Sequence, residues 1–94
     1  MLIVSGRLYI QQGRREDYLK LSLEAVALAR QAPGCKDFVV AADPLVADRV
    51  NVYEEWESEK QLLAFRSAGS TSSMFPLVER FYVSRHVVAS SGPP

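Results

Sequence analysis

Acidic, amide and aromatic side chains that could take part in chemistry alternate along residues 49–57, RVNVYEEWE. The segment contains β-branched and aromatic residues and no proline, which predicts a β-strand. Because successive side chains on a strand point to opposite faces, Glu54 shares a face with Trp56, and Asn51 lies on the other. A carboxyl group that faces a partly apolar cavity has a raised pKa and can act as a general base.

Four strand residues are candidates for catalysis or pocket lining, and three of them have a second, structural interpretation. Glu54 and Asn51 are catalytic candidates, but the Glu54 carboxylate could instead form an ion pair with an arginine, namely Arg7, Arg49 or Arg85. Trp56 lines a pocket or is a core aromatic residue whose indole N–H is satisfied. His86, the only histidine, could shuttle a proton near neutral pH, or it is a surface or interface group.

A second set of candidates lies on the helix that follows this strand. Ser58 is a good N-cap, and Gln61 three residues later completes a capping box. Phe65, on this helix, and Phe75 could clamp a flat substrate, or they pack between helix and sheet. The candidate substrate-binding residues are Trp56, Phe65, Phe75, Val52, Leu62 and Arg66.

The rest of the chain supplies the elements that must position these residues. Strands are predicted over residues 2–10, 35–42 and 81–89 in addition to 49–57. A helix begins at Arg14 and ends at Pro33-Gly34, with an apolar stripe formed by Tyr18, Leu21, Ala25, Leu28 and Ala32. A short helical turn is predicted from Met74 to Glu79. Residues 67–73 are predicted to be the most mobile internal stretch, and 90–94 a disordered tail.

The order β-α-β-β-α-β with right-handed crossovers predicts an α+β, ferredoxin-like domain over residues 1–89. Both helices then cover one face of a four-stranded antiparallel sheet. The other face carries either the Ile3, Tyr9 and Tyr53 set or the Val4, Leu8 and Val52 set. Neither set is polar enough to face water, so we expect a homodimer in which two sheets pack face to face.

Composition excludes several classes of function. Eleven basic and eleven acidic residues balance, and no basic run is longer than Arg14-Arg15, so nucleic acid is not expected as a partner. No apolar stretch approaches the roughly 20 residues that span a bilayer, and the first residues do not form a signal peptide. One cysteine, Cys35, and one histidine allow no internal disulfide and no metal site. These features predict a cytoplasmic protein.

Four local features occur together over the middle of the chain. They are the Pro33-Gly34-Cys35 turn, the Asp43-Pro44 loop, residues 52–58 (VYEEWES) and the Leu62-Leu63-Ala64 helix. In these the chain resembles the antibiotic biosynthesis monooxygenase family over roughly residues 2–88. The resemblance implies a dimeric α+β barrel with one apolar pocket per subunit. It also implies oxidation by O2 of a hydroxylated aromatic of the quinol, anthrone or polyketide type, without flavin, metal or other cofactor.

Departures from the family narrow this expectation. Haem-degrading members carry asparagine, tryptophan and histidine where this chain has Gly6, Phe65 and Phe75, so haem degradation is not expected. Many quinol-type members carry a histidine at the position of Phe65, so histidine-assisted proton transfer is not expected there. Some polyketide-oxidising members use asparagine and tryptophan four residues apart, whereas Asn51 and Trp56 are five apart. The alternatives are a non-catalytic module that binds a small aromatic or assists a partner, and an isomerase or cyclase on the same fold.

Overall fold

A computed structural model describes residues 1–69 and 74–94. Its strands are β1 (Leu2–Ile10), β2 (Cys35–Ala42), β3 (Arg49–Trp56) and β4 (Val78–Val87). Its helices are α1 (Arg15–Gln31), α2 (Glu59–Ser67) and a short 3-10 turn, Phe75–Leu77. The predicted mobile stretch 67–73 lies largely outside the described residues. No helix in the described ranges is long and apolar enough to cross a membrane.

The four strands form one antiparallel sheet in the order β2-β3-β1-β4. The helices contribute Ala29 and Leu62 to a single buried cluster with Leu2, Val4 and Trp56 of the sheet. Both helices therefore cover the same face, because these strand residues share one face by alternation. This confirms the predicted ferredoxin-like α+β fold.

The core between helices and sheet consists of two clusters at opposite ends of the strands. One contains Leu2, Val4, Ala29, Phe38, Trp56 and Leu62. The other contains Ile10, Tyr18, Ala25, Val50, Met74 and Leu77. Val40 packs against both clusters, so the space beside it lies where the two meet.

The buried stripe of α1 differs from the predicted one. The residues that face the sheet are Tyr18, Ser22, Ala25 and Ala29, whereas Leu21 and Leu28 are 44% and 46% exposed. Small side chains allow the helix backbone to approach the sheet closely. The Ser22 hydroxyl is tolerated there because it donates to the Leu19 carbonyl oxygen at 2.7 Å.

The last strand begins three residues earlier than predicted. Val78 already pairs with Ile10, across an irregularity in the register between Tyr9 and Ile10. The helical turn predicted from Met74 to Glu79 is correspondingly reduced to the 3-10 turn, and Glu79 belongs to β4. Proline at the second position of this turn fits the start of a helix but not the interior of a strand.

Candidate functional site

A cavity of about 180 Å³ lies between the sheet and α1, where the two core clusters meet. Most of its walls are aliphatic or aromatic. Of the described residues that line it, two carry a polar side-chain group, the Glu54 carboxyl and the Tyr18 hydroxyl. The lining residues are Leu8, Tyr18, Phe38, Val39, Val40, Val52, Glu54 and Val83.

The register of the sheet explains the floor of this cavity. Val52 and Glu54 alternate with outward-facing residues on β3, and their partners on β2 are Val40 and Phe38. The row that contains Val52 continues through Gly6 of β1 to Val83 of β4. Gly6 has no side chain, and the backbone of β4 at Tyr82 and Val83 occupies the space where a Cβ would lie.

Glu54 is held at the cavity wall by its neighbour two residues along the strand. The indole Nε1–H of Trp56 donates to Glu54 Oε1 at 3.0 Å. Burial raises the pKa of the Glu54 carboxyl above its ordinary value, while the Trp56 hydrogen bond and the positive charge of Arg66 partly oppose that rise. The site thus contains a carboxyl group with a raised pKa and a fixed orientation, which is suited to accept a proton.

Glu54 does not form the ion pair that was its alternative interpretation. Within residues 1–69 and 74–94, Arg85 pairs with Glu59 at 3.4 Å, and Arg49 pairs with Asp43 at 3.4 Å. The Arg7 guanidinium lies 4.8 Å from the ring centroid of Tyr82 instead. All three arginines are therefore engaged away from the Glu54 carboxylate.

Trp56, Phe65 and Leu62 form the support behind Glu54 rather than the wall of the cavity. Trp56 and Leu62 are completely buried. The Phe65 ring packs on Trp56 with centroids 5.4 Å apart and meets Phe38 edge-on at 5.9 Å. Of the predicted substrate-binding residues, only Val52 lines the cavity directly.

Two of the predicted catalytic residues lie on the other face of the sheet. The Asn51 amide donates to Asp43 Oδ1 at 2.9 Å and accepts from Arg49 Nε at 2.7 Å. Hydrogen bonds from Asn51 and from the backbone of Val46 and Leu45 lower the pKa of the Asp43 carboxyl to about 2. Asn51 therefore anchors the β2–β3 loop. His86 is exposed and pairs in register with Ile3 on the helix-free face.

Phe75 and Arg66 also lie outside the cavity wall. Phe75 is 67% exposed in the 3-10 turn, so it does not form a clamp with the largely buried Phe65. Arg66 is exposed in the last turn of α2 and acts on Glu54 through its charge. Among the described residues, no cluster of three or more His, Cys, Asp or Glu side chains could hold a metal ion.

Tyr18 lines the cavity and carries a polar group, but the sequence pattern did not identify it as a candidate site residue. It is only 7% exposed, and burial raises the pKa of its hydroxyl. The helical stripe placed it on the sheet-facing side of α1, but nothing local in the sequence distinguishes a tyrosine that faces a cavity from one packed in the core. One signal in the sequence could have identified Tyr18. A tyrosine predicted to be buried has a hydroxyl that needs a hydrogen-bond partner, which can be a ligand.

Comparison with known proteins supports the fold and identifies the family. The antibiotic biosynthesis monooxygenase family model matches residues 1–74, whereas a search of curated proteins gives no match. A candidate antibiotic biosynthesis monooxygenase from Chloroflexus aurantiacus superposes with a TM-score of 0.81 at 23% identity, covering 98% of this chain and 96% of that one.

Two further solved structures share the fold. A candidate monooxygenase of the same kind from Deinococcus radiodurans has a TM-score of 0.88 at 15% identity, covering 100% of this chain and 98% of its own. Another from Nitrosomonas europaea has a TM-score of 0.86 at 12% identity, covering 96% of this chain and 100% of that one. Together with the match over residues 1–74, these findings show that the chain belongs to the antibiotic biosynthesis monooxygenase family.

Proposed function

We propose that this protein is a cofactor-independent monooxygenase that oxidises a hydroxylated aromatic of the quinol, anthrone or polyketide type with O2. The observation that carries the proposal is the Glu54 carboxyl in an otherwise apolar cavity, oriented by the Trp56 indole. An apolar cavity excludes water from the reacting carbon, and a carboxylate there can deprotonate a phenol. Family membership supports oxygen chemistry in that cavity.

The reaction balances without a further reductant. Glu54 takes the phenolic proton, and the electron-rich ring transfers electrons to O2 and forms a C–O bond at an activated ring carbon. The resulting peroxide takes up the proton from Glu54. Loss of the ring C–H proton and cleavage of the O–O bond then release water and leave a carbonyl group. The organic substrate loses four electrons, and O2 gains four, with one oxygen atom in the quinone and one in water.

The size of the cavity favours the smaller members of this substrate class. Its volume of about 180 Å³ is below the roughly 300–1,000 Å³ typical of sites for drug-sized ligands. A one- or two-ring phenol or quinol suits such a space better than a three-ring anthrone. The aliphatic walls would contact the ring faces, and Glu54 would contact a ring oxygen.

Oxygen dependence is the first expected result. Incubation of the protein with a panel of hydroquinones, naphthols and an anthrone should give a quinone product and oxygen uptake in air, and no product under argon. Boiled protein provides the control for uncatalysed autoxidation. A product of unchanged oxidation level, formed equally well in air and under argon, would indicate an isomerase or cyclase, and binding without turnover of any panel member would indicate a non-catalytic module. Either outcome contradicts the proposal.

We also propose that the protein forms a homodimer through the helix-free face of the sheet. The Ile3, Tyr9 and Tyr53 set lies on this face and is only partly buried in one subunit. Arg80 and Arg7 lie over tyrosine rings there, at 4.2 Å from the Tyr9 centroid and 4.8 Å from the Tyr82 centroid. A face of aromatic and aliphatic groups with stacked arginines has the composition of an interface core.

A charge in the middle of that face should separate the subunits. Ser5 lies at its centre, between Tyr53 and Ser84 in the register. We expect wild-type protein to scatter light as a dimer and Ser5→Arg to scatter as a 10.5 kDa monomer, because burying an unpaired guanidinium is costly. Leu23→Arg, at a position 68% exposed on α1, is the matched control and should stay dimeric. A wild-type monomer at micromolar concentration would refute the dimer.

We place the protein in the cytoplasm on the basis of its single cysteine. Cys35 is a free thiol in the structure, and burial is the main cause that raises its pKa. A half-buried thiol without a disulfide partner suits a reducing compartment. The raised pKa also keeps Cys35 in the weakly nucleophilic thiol form, so we assign it no catalytic role.

A further inference from the structure

Among the lining residues in the described ranges 1–69 and 74–94, the polar side chains are those of Tyr18 and Glu54, and they come from different elements. Tyr18 belongs to the core cluster that includes Ile10 and Val50. Glu54 accepts a hydrogen bond from Trp56, which belongs to the core cluster that includes Leu2. Tyr18 and Glu54 are therefore anchored in different core clusters, one on α1 and one on β3.

The Tyr18 hydroxyl is available to a ligand. It forms no hydrogen bond to any side chain or backbone group within residues 1–69 and 74–94, although the residue is only 7% exposed. In the same part of the chain, every fully enclosed polar side-chain atom has a partner. The Tyr18 oxygen is therefore not fully enclosed, and the residue that carries it lines the cavity.

From this arrangement we propose that Tyr18 is a ligand-binding residue, and that the ligand is a small aromatic with oxygen substituents on opposite edges of the ring system. The Tyr18 hydroxyl donates a hydrogen bond to one ligand oxygen, and the Glu54 carboxylate accepts one from a ligand hydroxyl at the other end. Leu8, Val40 and Val52 contact the ring between them. This inference rests on the proposed function for the assignment of Glu54 as a base, and it narrows the substrate class.

The chemistry of the two groups is complementary. Burial raises the pKa of the Tyr18 hydroxyl, so this group stays protonated and remains a donor at neutral pH. When the phenol that faces Glu54 loses its proton, the ring becomes more electron-rich, and the oxygen at the far end becomes a better hydrogen-bond acceptor. A hydrogen bond from Tyr18 to that oxygen becomes stronger as the charge develops, because charge-assisted hydrogen bonds are stronger than neutral ones. Tyr18 would thus favour the deprotonated ligand over the neutral one.

Binding under nitrogen tests this inference without any turnover. Two probes, 2,6-dihydroxynaphthalene and 2-naphthol, differ only in the second, distal hydroxyl. Titration calorimetry with the wild-type protein should show the diol binding roughly 3- to 10-fold more tightly, the gain expected from one hydrogen bond. In Tyr18→Phe the diol should lose that advantage, while 2-naphthol should bind about as tightly as before.

Controls separate a lost hydrogen bond from lost structure. Tyr82→Phe removes the same hydroxyl from the helix-free face, which we propose as the dimer interface and which lies outside the cavity; it keeps the ring that contacts Arg7 and should retain both the dimer and the wild-type preference for the diol. The melting temperature of Tyr18→Phe should match that of the wild type, because its hydroxyl has no partner in the described residues. Unchanged diol preference in Tyr18→Phe, or no binding of either probe to wild-type protein, would overturn the inference.

The outcome is independent of the proposed oxidation. A protein that prefers the diol through Tyr18 but oxidises nothing would retain this inference and refute the monooxygenase. Oxygen-dependent turnover with no effect of Tyr18→Phe on binding would retain the monooxygenase and refute this inference. A Tyr18→Phe variant that binds the diol like the wild type but turns it over more slowly would also contradict a binding role for Tyr18.

Discussion

Replacing Glu54 with glutamine should lower oxygen-dependent turnover roughly 10²- to 10⁴-fold, the range that a positioned general base contributes. Glutamine has the same shape and can still accept the hydrogen bond from the Trp56 indole through its amide oxygen. It cannot take up a proton at neutral pH, so the variant loses the base and keeps the cavity. Turnover of the best substrate from the panel, measured by oxygen uptake, gives the comparison.

Glu57→Gln provides a matched control for this change. Glu57 is an exposed carboxylate three residues along the chain, just beyond the end of β3. The same substitution there should leave turnover within about twofold of wild type, the range expected of an exposed site. If Glu54→Gln retained wild-type turnover, the proton would have to go elsewhere, and Glu54 would not be the base.

The same variant should be more stable than the wild type at neutral pH. Burial raises the pKa of Glu54 in the folded protein above its value in the unfolded chain, so the folded state favours the protonated form. The stability that protonated Glu54 contributes is therefore fully present below its ordinary pKa of 4.5. That contribution is lost as the pH rises through the pKa of Glu54 in the folded protein. Melting temperatures of Glu54→Gln and wild type should converge at low pH and separate in favour of the variant toward pH 7.

Gly6→Ala should cause a large loss of stability for the addition of a single methyl group. Gly6 has φ +152° in the middle of β1, and a Cβ there would collide with the Tyr82 carbonyl oxygen of β4. The other close atoms, the Val83 Cα and the Tyr82 carbonyl carbon, are also main chain, so the collision can be relieved only if the backbone moves. Backbone strain and overpacking together suggest about 2–5 kcal/mol, a large part of the ~5–14 kcal/mol available to a domain of this size. We expect the melting temperature to fall by at least about 10 °C.

Gly13→Ala separates the collision from backbone strain. Gly13 also has a positive φ, +76°, but nothing lies within 4 Å of the position where its Cβ would be. Only the cost of the left-handed conformation applies, about 1–2 kcal/mol. A Gly6→Ala protein that melts as high as Gly13→Ala would show that β1 and β4 can move apart easily, and that the sheet floor is not rigid.

The fold was predictable because its strands carry a strong period-2 pattern and its helices have clear ends. The alternation along β3 correctly put Glu54 and Trp56 on one face and Asn51 on the other. The Ser58 cap also forms, with its hydroxyl accepting from the Gln61 backbone N–H at 3.3 Å. Such signals are local, so a single strand or helix end contains all the information they need.

The cavity was less predictable because its composition depends on which elements approach closely. A hydrophobic stripe on α1 favoured Leu21 and Leu28, but the close approach to the sheet selects small residues such as Ser22 and Ala29. Tyr18 belongs to both the predicted and the observed buried face of α1, but its place on the cavity wall follows from where the two core clusters meet. Likewise, the exposure of Phe75 depends on where the chain turns into β4, which the pairing with β1 determines.

Incubation with ¹⁸O2 tests most directly the claim that Glu54 and its apolar cavity support oxygen insertion into an aromatic substrate. Mass spectrometry of the quinone formed from the best panel substrate should show one ¹⁸O atom per molecule, with the second atom in water, and Glu54→Gln should give little of this product. A quinone with no ¹⁸O from ¹⁸O2, or labelled product formed as fast by Glu54→Gln as by the wild type, would contradict the account.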